Sequence, residues 1–153
     1  MLIAAVIIAA SVSSIAGDLV FDVCQGYYFG TKLPYRKAIS NGDGNGKYAF
    51  VIYLHGGSSK GNDNNKQLEE KGIDSIANYI LRHNEKAVFV VPQCPSDKSW
   101  GGPMLSVLKG LIDEQMQTTD MDHNRIYIFG GSMGGTGTWS MLSAYPGLFT
   151  SAM

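Results

Sequence analysis

The run Arg125-Ile126-Tyr127-Ile128-Phe129 has the β-branched and aromatic content of a buried strand, and it passes straight into Gly130-Gly131-Ser132-Met133-Gly134-Gly135. A helix-compatible segment from Thr136 to Tyr145 follows without a spacer. A strand and a helix joined by so short a turn can pass closely only where glycines leave room, and the residue at the apex must take a strained backbone conformation. The G-x-S-x-G pattern in this setting presents the Ser132 hydroxyl at the carboxyl end of a sheet. It also puts the Met133 amide at a helix N-terminus, where an oxyanion would form. The bland alternative is a glycine-rich turn without chemistry.

The rest of the chain supplies a sheet for that turn. Leu19 to Phe29 and Tyr35 to Ile39 read as short strands broken by Gly26, Gly30 and Pro34, which suggests an opening antiparallel ribbon. Asn41-Gly42-Asp43-Gly44-Asn45-Gly46 is a surface turn that feeds the apolar run Tyr48 to Leu54. Between Leu68 and His83, Ile73, Ile76, Ala77 and Ile80 fall on one helical face, and Ala87 to Val91 is a further buried strand. After a loop from Pro92 to Pro103, Leu105, Leu108, Ile112 and Met116 mark a second helix. Apolar strands alternating with amphipathic helices predict an α/β fold, a doubly wound and mostly parallel sheet covered on both faces. With 153 residues, 44% of them hydrophobic, and no repeat or linker, one domain is expected.

Several classes of function are excluded by what is missing. Twelve basic and thirteen acidic residues are scattered without a run, so there is no footprint for nucleic acid or an anionic membrane. Cys24 and Cys94 stand apart from histidines, and no metal site is expected; they are either one disulfide or two buried thiols. The Asn41 turn mimics a calcium loop, but Asn41 opens it and Ile52 stands where a bidentate Glu is required. It is no phosphate loop either, since Tyr48 replaces the Ser or Thr that would hold magnesium. Residues 1–16 read as a signal peptide, with an apolar stretch and Ser14-Ile15-Ala16 as a small-x-small site, although no Lys or Arg precedes the stretch. Export to a secreted or periplasmic location is expected, and a buried strand is the alternative. The stretch is too short to span a bilayer.

A second turn resembles the first in kind. Tyr48 to Leu54 ends in His55-Gly56-Gly57-Ser58, and in a doubly wound sheet that strand end sits beside the Ser132 turn. The Gly57 amide is the best candidate for a second oxyanion donor. His55 more often orders such a loop by hydrogen bonding than acts as a base. Trp100, with His55, is a candidate for the substrate pocket, and anchoring of its loop is an equal alternative. Trp139 is expected in the core.

Taken together these residues resemble the α/β-hydrolase superfamily, and more narrowly the secreted bacterial esterases of the feruloyl esterase, acetyl-xylan esterase and polyhydroxyalkanoate depolymerase-like group. The resemblance rests on Leu33-Pro34-Tyr35-Arg36, Val51-Ile52-Tyr53-Leu54-His55-Gly56-Gly57, Val91-Pro92-Gln93-Cys94-Pro95 with Trp100, and Asp122-His123-Asn124-Arg125-Ile126-Tyr127. It continues through Gly131-Ser132-Met133-Gly134-Gly135-Thr136-Gly137-Thr138-Trp139 and Tyr145-Pro146-Gly147-Leu148-Phe149. It implies hydrolysis of a carboxylic ester through an acyl-enzyme on Ser132, with the Met133 and Gly57 amides as oxyanion hole and no cofactor. The substrate class is ester-decorated polysaccharide or a small ester.

The resemblance has one gap. Family order is Ser, then Asp or Glu, then His, and no Asp, Glu or His follows Ser132 here. Residues 17–153 therefore resemble the N-terminal portion of a hydrolase domain, cut after the nucleophile helix, and this chain alone is expected to be a poor catalyst. A serine peptidase of the same fold and a non-catalytic binding module are the competing readings.

Overall fold

A computed structural model describes residues 19–153. The signal-peptide reading of residues 1–16 lies outside the described residues. Among the described residues no helix is long and apolar enough to cross a membrane.

Among the described residues six strands form one sheet, β1 (Asp22–Tyr28), β2 (Thr31–Asn41), β3 (Tyr48–Leu54), β4 (Lys86–Pro92), β5 (Met121–Gly130) and β6 (Ser151–Ala152), in the spatial order β1-β2-β4-β3-β5-β6. The opening ribbon is antiparallel as expected, and β2 is antiparallel to β4 as well. From β4 onwards every pairing is parallel. β2 begins at Thr31 and runs straight through Pro34, whereas the sequence pattern starts that strand only at Tyr35. Pro34 lies one residue beyond the last pair with β4, Tyr35 with Pro92, so it interrupts no central ladder.

Among the described residues three α-helices cover the sheet: α1 (Lys71–Arg82), α2 (Pro103–Thr118) and α3 (Met133–Ala144). α1 buries Ile73, Ala77 and Ile80 against Val51, Tyr53, Phe89 and Val91 on one face. α2 and α3 pack on the other, where Phe50, Ile52, Val88 and Val90 meet Leu108, Leu111, Ile112 and Met141. Alternate residues of β3 and β4 thus point into two separate cores, which is why both strands are apolar throughout. The doubly wound, mostly parallel α/β sheet is the expected one.

Two helix boundaries differ from the sequence reading. α1 begins at Lys71 rather than near Leu68, because Glu70 is extended (φ −78°, ψ 126°) and separates a short 3-10 turn, Lys66–Glu69, from the helix. α3 begins at Met133 rather than Thr136, because the chain turns completely at Ser132. Trp139, expected in the core, is 73% exposed. The buried face of α3 is Gly134, Gly137, Thr138 and Met141, and Trp139 lies off it.

Candidate active site

The crossover from β3 to β4 leaves to one side of β3, and the connection from β4 to β5 returns to the other. Strand order therefore reverses at β3, and a crevice opens at the carboxyl ends of such strands. β3 and β5 are paired in parallel up to Leu54 with Gly130, so the turns that follow them emerge side by side. A β-carbon on Gly56 would lie 3.6 Å from Ser132 Cβ and 3.7 Å from the Gly131 carbonyl oxygen.

Ser132 is the N-cap of α3 with φ 54° and ψ −119°, a conformation that costs a non-glycine residue of the order of 1–3 kcal/mol. Its side chain is exposed. The turn closes through the Gly134 amide, which donates to the Gly131 carbonyl at 2.8 Å, and the Thr136 amide, which donates to the Ser132 carbonyl at 3.2 Å. Among the described residues the amides of Met133 and Gly57 donate to no other group. A β-carbon at Gly57 would meet nothing within 4 Å, so the space in front of that residue is open.

His55 and Trp100 sit buried beneath this turn, where the sequence left a pocket role and a loop-anchoring role open. His55 is fully buried and Trp100 is 2% exposed. The carbonyl of Gly56 accepts from His55 Nδ1 at 2.6 Å, and His55 Nε2 accepts from the Cys94 amide at 2.9 Å. Those partners require the tautomer with the proton on Nδ1 and leave no free lone pair for a base. Burial pushes the His55 pKa down, so the ring stays neutral. Trp100 Nε1 donates to the His55 carbonyl at 3.0 Å, and the two rings meet edge to face. Both residues are braces of the loop after β3.

The other two histidines lie elsewhere. His83 caps the C-terminus of α1, and His123 is an exposed residue in the first half of β5. Cys24 and Cys94 are buried free thiols. Among the described residues no cluster of three or more His, Cys, Asp or Glu could hold a metal ion.

Sequence reasoning passed over Glu70. Its Oε1 accepts from the Gly56 amide at 2.6 Å and the Ser59 hydroxyl at 3.0 Å, and its Oε2 accepts from the Tyr53 hydroxyl at 3.1 Å. Gln93 holds the same loop from behind: its Nε2 donates to the Ser59 carbonyl and to Asp63, and its Oε1 accepts from the Asn64 amide at 2.7 Å. The one local signal was Glu70-Lys71-Gly72, a carboxylate at a helix start beside a glycine. The α1 periodicity masked it.

A groove of about 750 Å³ runs along the α1 side of the sheet, lined by Val51, Tyr53, Ile76, Tyr79, Phe129 and Met153, and it reaches Gly130 and Gly131 from behind. It is apolar and lies across the sheet from Trp100.

No family model and no curated protein matches the chain. Solved structures do. A thermostable esterase superposes with a TM-score of 0.75 at 33% identity, over 86% of this chain and 40% of that one. The ferulic acid esterase of the anaerobic fungus Anaeromyces mucronatus gives 0.66 at 16% identity over 92% and 60%. The acetyl xylan esterase of Aspergillus awamori gives 0.62 at 15% over 78% and 45%. The chain spans between two fifths and three fifths of the length of these proteins. It has the α/β-hydrolase fold that these esterases share, as the resemblance in its motifs implied.

Proposed function

We propose that Ser132 is the nucleophile of a serine carboxylesterase that works through an acyl-enzyme on ester-substituted carbohydrate or other small esters. The observation that carries this reading is the strained, exposed Ser132 at the β5–α3 junction, beside the His55-Gly56-Gly57 turn. In this reading the Ser132 oxygen attacks the ester carbonyl, and the negative charge that develops meets the amides of Met133 and Gly57. Collapse releases the alcohol and leaves the acyl group on Ser132 until water removes it. The carbohydrate-ester class is supported by the acetyl xylan and ferulic acid esterases among the structural neighbours.

Serine chemistry of this kind needs a base. His55 has both ring nitrogens engaged, and His83 and His123 belong to other parts of the fold. The reading therefore takes the base and its acid from outside residues 19–153, and this chain alone is a poor esterase. Residues 1–16 fit an export signal for such an enzyme.

The test is turnover of p-nitrophenyl acetate, methyl ferulate and a matched p-nitroanilide by the protein expressed from its full reading frame, with and without Ser132→Ala. Ester hydrolysis lost in the variant supports the reading. Ester hydrolysis that survives it, or faster cleavage of the anilide, overturns it.

A further inference from the structure

We propose that Glu70 is a positioning residue that holds the oxyanion loop in register with the nucleophile turn, an inference that rests on the reading of Ser132 as an acyl carrier. One carboxylate joins the end of β3, through Tyr53, to both sides of the Gly57–Ser59 turn, through the Gly56 amide and the Ser59 hydroxyl. Among the described residues no Lys or Arg pairs with it. Its charge is directed at three neutral donors.

The direction of those donors gives the arrangement its consequence. Gly56 is extended (φ −74°, ψ 171°), and along extended backbone successive N–H groups face different sides. The Gly56 amide is committed to Glu70 at 2.6 Å, and the Gly57 amide next to it donates to no other group among the described residues. The donor assigned to the oxyanion is thus held through its neighbour, whose amide the carboxylate engages.

Tyr53 carries the link to the second turn. A β-carbon at Gly131 would lie 3.4 Å from the Tyr53 hydroxyl, and one at Gly72 would lie 2.6 Å from it. Gly72 in the first turn of α1 is what lets the tyrosine reach Glu70. Burial, with Glu70 adding to it, pushes the Tyr53 pKa up to about 12, so the hydroxyl remains a donor. Glu70, Tyr53 and the Gly56–Ser59 loop therefore form one hydrogen-bonded unit that packs against the Ser132 turn at Gly131, so that a shift of the carboxylate moves the oxyanion loop relative to Ser132.

The test compares Glu70→Ala, Glu70→Asp, Glu70→Gln and Ser132→Ala with the parent on p-nitrophenyl acetate, using the protein from its full reading frame. Rates are expressed per active site titrated with a fluorophosphonate, so that misfolded protein is not counted. Glu70→Ala is expected to lower kcat about 10–100-fold with KM within about twofold, because an oxyanion donor acts on the transition state. Glu70→Gln is expected to stay within about fivefold of the parent: its oxygen accepts from Gly56 and Ser59, and its amide donates to a Tyr53 hydroxyl that has turned to accept. If Glu70→Ala does not fold, Glu70→Asp carries the test, and its one-carbon shortening is expected to lower kcat about tenfold. Parental kcat in the Ala or Asp variant, with Ser132→Ala inactive, overturns the positioning role and leaves the esterase reading standing. A Gln variant as slow as Ala also overturns it. Turnover that persists in Ser132→Ala, or is absent from the parent, overturns the esterase reading instead.

Discussion

Gly134 in the first turn of α3 lies against the end of β3 so closely that a β-carbon there would overlap the Leu54 carbonyl oxygen, with the His55 carbonyl oxygen 2.9 Å away. Backbone cannot yield as a flexible side chain can, so this contact fixes how near the Ser132 turn approaches the His55-Gly56-Gly57 loop. Gly134→Ala is expected to destabilise the fold by about 3 kcal/mol through overpacking. Gly57→Ala, with open space around it, is expected to cost under about 1 kcal/mol. Urea unfolding of the two variants checks the difference.

A pH prediction follows from His55. Its lowered pKa means that the folded chain resists protonation at pH values where the unfolded chain, near the ordinary 6.5, accepts a proton. The stabilisation by the neutral ring is complete above that unfolded value. It falls as pH drops below it towards the lower folded pKa, because the unfolded state then binds more protons. Unfolding free energy measured from about pH 7.5 to about pH 5 should decline with a contribution of up to about 1.4 kcal/mol per pH unit from this group. His55→Gln should remove that contribution, whereas substitution of the exposed His123 should leave it.

Trp100 separates anchoring from substrate contact. As a buried anchor donating to the His55 carbonyl, it should cost about 1–2 kcal/mol of stability when replaced by Phe and about 3–5 kcal/mol when replaced by Ala. Trp100→Phe should leave the KM for p-nitrophenyl acetate within about twofold, since the ring is buried beneath the loop. A selective rise in KM with unchanged stability would return Trp100 to a pocket wall.

The cysteines give a further check. Burial pushes the Cys94 thiol up to about 11 and raises Cys24 as well, so neither is a ready thiolate near neutral pH. Reaction with a thiol reagent at about pH 8 should be slow in the native protein and fast for both thiols in denaturant. Rapid native labelling of one of them would contradict their placement.

The parts legible in the sequence were those whose physics is local. The strands at Tyr48 to Leu54 and Ala87 to Val91 are apolar on both faces because both faces are covered, and the Ser132 turn is written in neighbouring glycines. Glu70 was missed because its three donors come from β3 and from the turn after it, and spacing within its own segment says nothing of them. Trp139 was misread because α3 carries apolar and small residues all round, so no periodicity separates its buried face from its exposed one. The sequence left His55 and Trp100 open between a pocket wall and a loop anchor for a similar reason. Proximity to a strand end says where a residue sits along the sheet, and only packing says whether it faces the crevice or the core.

The central claim is that Ser132 carries the acyl group. The direct measurement is mass spectrometry of the protein, expressed from its full reading frame, after brief reaction with a fluorophosphonate and, separately, after brief reaction with an activated ester stopped by a rapid acid quench. A single adduct on the peptide containing Ser132, absent from Ser132→Ala, is the predicted result. Ester turnover with no adduct at Ser132, or with the label on another residue, would contradict it.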